Sequence, residues 1–276
     1  MGHIVDISKW NDSINWDVAA PQLDLAICRV QYGSKTVDRL YNQHVTNLEA
    51  RGIPHAAYAY GCYVSVADAI VEAKDFLARV SPNAKFLVLD VEDDTLKSMR
   101  NVNQLAEASQ AFIDTCKAAG WRVGLYVAHH MYNQYNLRSV QADFVWLPRY
   151  GSNDGSPQVK PAYPCDMWQY TDNGYINGIG RVDINLLEGD KDLKWYLGSP
   201  IKSYRISIGD FDELTWAGDS KRAVKNLFPD YGLWDEKIGN GHRLYLGDFN
   251  SKEWADQTFA TLKEHMPDYG MWIDEV

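Results

Sequence analysis

The chain has no apolar run approaching the roughly 20 residues that a membrane-spanning helix needs, so membrane insertion is not expected. Basic residues are in deficit: 27 Lys and Arg stand against 37 Asp and Glu, a net charge of −10. Phosphate backbones call for clustered cations, so nucleic acid is excluded as a partner. The four cysteines (Cys28, Cys62, Cys116, Cys165) never form a Cys-x-x-Cys pair. They read as small apolar residues rather than as a disulfide framework or a zinc site. No Gly-x-Gly-x-x-Gly or Walker loop follows a strand-like run, and neither Ser8 nor Ser65 has a Gly-x-Ser-x-Gly setting. Neither a nucleotide cofactor nor a serine hydrolase is therefore expected. Residues 1–6 lack the basic-then-apolar pattern of a signal peptide, and Asp6 stands where a myristoylation motif wants Ser or Thr.

Aromatic residues are plentiful, at 13% with ten tryptophans. That leans towards sugar recognition, in which flat rings stack on the apolar faces of pyranoses; a Trp-rich core is the plainer alternative. β-branched and aromatic runs at 3–7, 23–32, 55–60, 85–91, 122–128, 144–149, 166–170 and 181–184 predict strands. Helical spacing of apolar residues falls at 66–80 and at 103–119, the latter stopped by Gly120 and capped by Asn101 or Asn103. Strands alternating with helices imply a mostly parallel α/β sheet. After residue 140 Gly-, Pro- and Asn-rich loops replace the helices, which predicts an irregular (β/α) barrel of eight strands with fewer helices. A doubly wound open sheet is the structural alternative.

The organisation expected is a barrel over residues 1–197, a Gly/Ser/Pro linker at 198–203 and a small module at 204–276. The module repeats itself at a constant offset of 38 residues. Arg205 to Phe211 (RISIGDF) aligns with Arg243 to Phe249 (RLYLGDF), Trp216 with Trp254, and Pro229-Asp230-Tyr231-Gly232 with Pro267-Asp268-Tyr269-Gly270. Each copy reads strand, helix, strand, and two copies sharing one sheet would bury the face that one alone exposes. Residues 199–276 carry a net charge of −5, so this is no polybasic arm.

Asp90 and Glu92 lie two positions apart at the end of a predicted strand and so share a face. Asp6 ends the first strand and Asp183 lies in the last, each after a Val as Glu92 is. In a closed barrel, first and last strands are neighbours and the four carboxylates converge at the strand ends where catalytic groups collect. Crowded carboxylates push their pKa values apart and leave one protonated near neutrality. Glycoside hydrolysis needs that: a neutral acid for the leaving oxygen and other groups at the anomeric carbon. Pairing with Arg29, Arg149 or Arg181 is the plainer fate of such acids. A calcium or magnesium site at Asp90, Glu92, Asp93 and Asp94 lacks EF-hand spacing, and Asp93-Asp94 reads as the start of a solvated loop. No metal is expected. His129 and His130 read as loop-lining residues. Tyr60, Tyr126, Trp146 and Tyr170, with Gln169 beside them, are the candidate sugar-facing residues.

Val5-Asp6-Ile7-Ser8, Leu89-Asp90-Val91-Glu92, Gly124-Leu125-Tyr126, Trp168-Gln169-Tyr170 and Val182-Asp183-Ile184-Asn185 occur in the order of the strand signatures of family 25 glycoside hydrolases, the Chalaropsis-type lysozymes common as phage endolysins. The resemblance covers about residues 3–190. It implies a flattened, irregular (β/α) barrel that hydrolyses the β-1,4 bond between N-acetylmuramic acid and N-acetylglucosamine, leading to host lysis. By motif it implies that Glu92 is the general acid, Asp90 its partner, and Asp6 and Asp183 the remaining pocket acids. It leaves open whether an enzyme carboxylate or the substrate's N-acetyl group attacks. The tail is similar to SPOR-type modules, which implies binding to peptidoglycan glycan strands; homodimerisation through it is a further expectation. An endolysin of this kind would gather in the host cytoplasm and reach the wall through a holin pore. The rivals are a bacterial autolysin of the same activity and a glycan-binding protein without activity.

Overall fold

The computed structural model describes residues 2–198, 204–212, 214–229, 231–249 and 252–275. Two compact units emerge, Met1–Leu197 and Gly198–Val276, and most of the expected linker, residues 199–203, lies outside the described residues.

The first unit is a closed barrel. Its strands are β1 (His3–Ile7), β2 (Leu23–Tyr32), a two-residue β3 (Thr36–Val37), β4 (His55–Tyr60), β5 (Leu87–Val91), β6 (Val123–Val127), β7 (Phe144–Pro148), β8 (Met167–Ile176) and β9 (Gly180–Leu187). The order is β1-β9-β8-β7-β6-β5-β4-β2, and β1 closes the ring by pairing in parallel with β2. Neighbours from β4 to β8 run parallel, whereas β8–β9 and β9–β1 are antiparallel. The closure excludes the doubly wound alternative. Helices Val66–Arg79 and Leu105–Ala118 cover the parallel side. Ser65 starts the first, its side chain accepting the Asp68 N–H. The second begins two residues later than the spacing suggests. Asn101 caps a preceding 3₁₀ turn, Val102–Gln104, because that turn takes up the free amides first. Gly120, at φ 89°, ends it as expected. The helix Tyr41–Glu49 was not legible: its buried face includes the polar His44.

Strand alternation divides the residues into two layers. Outward residues such as Val5, Leu89 and Leu125 pack under the helices. Inward ones, among them Ile4, Leu25, Ile27, Phe86 and Phe144, fill the barrel and meet Tyr196 of the helix Leu193–Leu197. The Phe144 ring meets Phe86 and Tyr196 edge-on, at 5.2 and 5.0 Å. It lies across Gly124, its cross-strand partner, where an added Cβ would sit 2.2 Å from the ring. The glycine of Gly124-Leu125-Tyr126 is thus the space that the Phe144 ring occupies.

The second unit is one antiparallel sheet ordered β11-β12-β10-β13, from β10 (Tyr204–Phe211), β11 (Leu233–Ile238), β12 (Gly241–Phe249) and β13 (Met271–Glu275). The repeats are interleaved. β10 and β12 pair at the centre, β11 of the first copy pairs with β12 of the second, and β13 of the second pairs with β10 of the first. Residues from helices Leu214–Leu227 and Lys252–His265 join Ile206, Ile208, Leu244 and Leu246 in one core. Gly209 (φ 57°) and Gly247 (φ 139°) occupy equivalent positions, and the rings of Phe211 and Phe249 fold over them. Arg205 stacks over Trp234, and Arg243 over Trp272, each at 4.7 Å. The offset of 38 relates these pairs too.

Candidate active site

Strand register gathers the four acids. Asp6 on β1 faces Asp183 across an antiparallel rung, which places their side chains side by side. Asp90 shares a rung with Tyr60 of β4 and Tyr126 of β6. β5 ends at Val91, but Glu92 keeps extended backbone (φ −134°, ψ −168°), so the two-residue alternation carries on and its side chain follows Asp90 inward. Asp93 starts a short helix, Asp93–Ser98, rather than a loop. Thr95 Oγ1 accepts the Glu92 backbone N–H at 3.1 Å and fixes that helix start.

All four acids line one cavity of about 240 Å³ at the strand ends. None of them forms an ion pair among the described residues. The arginines that could have neutralised them are used otherwise: Arg29 pairs with Asp38 at 2.9 Å, Arg181 with Asp172 at 3.5 Å, and Arg149 donates to the Lys160 carbonyl. Arg29 is the cation on the cavity wall, and its charge partly offsets the rise in the Asp90 pKa.

The acids form two pairs with distinct electrostatics. Asp6 is held by amides: Gln169 Nε2 donates to its Oδ2 at 3.0 Å and Asn185 Nδ2 donates at 2.9 Å. Burial raises the Asp6 carboxyl, while these donors and Asp183 oppose the rise. Asp183 is pushed up to about 9 by burial and then by the charge of Asp6. In this pair Asp6 is therefore the carboxylate and Asp183 carries the proton near neutrality. Burial and then the repulsion of Glu92 and Asp6 raise Asp90 well above the carboxylate range. Burial also lifts Glu92 to about 7, against a hydrogen bond with Asp90 that lowers it. The two share protons and titrate as a dyad. Asp90 Oδ1 is buried with no hydrogen-bond partner among the described residues.

The candidate sugar-facing residues divide. Tyr60, Tyr126, Trp146 and Gln169 line the cavity. Their polar ends largely serve Asp6. The Tyr126 hydroxyl donates to Gln169 Oε1 at 2.9 Å, as does that of Tyr150 at 2.5 Å, and Trp146 Nε1 donates to Asn185 Oδ1 at 2.8 Å. Tyr170 does not reach the cavity. It follows inward-facing Gln169 by one residue, so the pleat turns it into the outer core beneath the helices. His129 stacks on Tyr163 and His130 lies 3.0 Å from Asp93, both in loops. No cluster of ligands suited to a metal occurs among the described residues. Of the four free cysteines, Cys28 and Cys116 are buried, and Cys62 and Cys165 are half-buried.

Arg29, Tyr150, Asn185 and Asp172 also belong to the cavity or its supports. Asn185 had a readable signal, since it shares a strand face with Asp183. Tyr150 and Asp172 lie beyond the predicted strands and had none.

The profile of glycosyl hydrolases family 25 matches residues 5–179. The catalytic domain of the endolysin ply40 from bacteriophage P40 of Listeria monocytogenes is 33% identical, with a TM-score of 0.66 over 72% of this chain and 98% of that one. The glycosyl hydrolase 25 GHIP of Streptococcus pneumoniae is 30% identical, with a TM-score of 0.64 over 71% and 90%. The lysozyme of Streptococcus phage Cp-1 is 30% identical over 187 residues, 63% of this chain and 47% of that protein.

Proposed function

Because the chain belongs to glycosyl hydrolases family 25, we propose that it is a muramidase, cutting the β-1,4 bond from N-acetylmuramic acid to N-acetylglucosamine in peptidoglycan. The convergence of Asp6, Asp90, Glu92 and Asp183 on one cavity, unpaired with any cation among the described residues, carries this reading. Glu92, at the mouth of the dyad, gives its proton to the leaving oxygen. Asp90, coupled to Glu92 by their hydrogen bond, orients that acid towards the reacting bond. Asp6, fixed by two amide donors, adds a positioned negative charge.

The acid role sets a pH profile. Glu92 works only when protonated, and its carboxyl stands at about 7. Release of reducing sugar from purified walls is expected to fall about tenfold per pH unit above that point. A rate that stays flat from pH 7 to 9 would remove Glu92 from the acid role.

The kinship to phage enzymes supports an endolysin that acts on the host wall at lysis. The second unit is proposed to hold the chain on that wall, through the sheet face that carries the two Arg–Trp stacks. Full-length protein is expected to sediment with walls, and a chain ending at Gly198 several-fold less. Equal sedimentation would dismiss the wall-anchoring role.

A further inference from the structure

A second cavity of about 460 Å³ opens at the same strand ends as the first. Tyr32 forms its wall towards the acids and stacks on Tyr60 with ring centres 4.6 Å apart. Asp94 pins the pair: its Oδ2 accepts the Tyr32 hydroxyl at 2.6 Å, and its backbone N–H donates to the Tyr60 oxygen at 3.4 Å. Tyr32 lines this cavity and Tyr60 lines the first, so the stacked pair stands between them.

The second cavity has a polar floor that includes two acids, Asp68 and Glu72. Glu72 is 2% exposed, and one of its carboxyl oxygens accepts the Cys62 backbone N–H at 3.0 Å. Burial pushes that carboxyl up to about 7, so near neutrality much of it is an O–H donor. Ser34 Oγ is buried and without a hydrogen-bond partner among the described residues. Asp68 Oδ2 accepts the Val64 N–H at 2.9 Å, which ties it to its own loop. At the rim stand Lys35 and Arg100, both exposed, neither in an ion pair among the described residues.

Unpaired cations at the rim, unspent hydrogen-bonding groups below and an aromatic wall suit a peptide that carries carboxylates. On the muramidase reading such a peptide is at hand, because a muramyl residue carries its stem through a lactyl ether next to the scissile bond. An extended chain covers about 3.3–3.6 Å per residue, so a stem of several residues is longer than the 4.6 Å between the two ring centres. We propose that this cavity binds the carboxylate-bearing stem peptide of the muramyl residue held among the acids, with Lys35 and Arg100 gripping the carboxylates. The proposal rests on the muramidase reading and adds to it a preference for peptide-bearing glycan.

The test compares full-length enzyme on peptide-bearing glycan strands and on strands stripped of stems by an amidase. The wild type is expected to show the higher kcat/KM on the peptide-bearing strands. Lys35→Ala/Arg100→Ala should lower kcat/KM there about tenfold, through KM, and leave the stripped strands unaffected. Lys35→Glu/Arg100→Glu should deepen the loss. Equal losses on both substrates, no loss, or no wild-type preference overturns the proposal. A gain on removing the cations overturns it too, because it would mark an amine-binding site. If the wild type releases muramic acid ends from neither substrate, the muramidase reading itself has failed.

Discussion

Glu92→Gln is expected to lower kcat on purified cell walls by about 10³-fold, within the range that loss of a general acid brings. The amide keeps the size of the carboxyl and its hydrogen bond with Asp90 but has no acidic proton to give. The same change has a predicted effect on stability. The Glu92 carboxyl rises from an ordinary 4.5 to about 7 on folding. Below about pH 4.5 both folded and unfolded chains hold the proton, and the substitution should be neutral. Between about pH 4.5 and 7 the unfolded chain ionises freely while the folded one resists, so the wild type loses stability as pH rises. Gln has no charge to bury. Its Tm should therefore match the wild type at pH 4 and exceed it by a few degrees at pH 8. An inactive variant with lower Tm at both pH values would mean that the site had been disrupted, not that an acid had been removed.

Gly124→Ala is expected to cost the first unit about 1–3 kcal/mol, or about 2–12 °C in Tm. The new methyl would meet the Phe144 ring at 2.2 Å, and that ring is hemmed in by Phe86 and Tyr196. Tyr126 lies two residues further on the same strand face and donates to Gln169, which in turn holds Asp6. Activity should accordingly fall as well. Gly124→Ala/Phe144→Leu should lose less than the two single changes added together, because the smaller side chain makes room. Strict additivity would show that the two positions do not compete for the same space.

These effects indicate why part of the site could be read from sequence and part could not. Asp6, Asp90, Glu92 and Asp183 lie on or just past regular strands, where a period of two fixes the face and strand ends fix the depth. Asn185 obeys the same rule. Tyr170 shows its limit: an aromatic residue next to a site residue points the opposite way, into the outer core. Arg29 could be seen as a charge in a strand, but its engagement with Asp38 depends on the course of the chain beyond β2. Tyr150 reaches Gln169 from an irregular loop, and Asp172 enters along the extension of β8 past the predicted strand. No local pattern encodes either placement. In the second unit the repeat was plain, whereas the exchange of β11 and β13 between copies came only from the pairing.

The most direct test of the account is mass spectrometry of the new reducing ends formed when full-length enzyme digests purified peptidoglycan. N-acetylmuramic acid ends, formed by the wild type and lost with Glu92→Gln, are predicted. N-acetylglucosamine ends, or freed peptides without new reducing sugar, would contradict it.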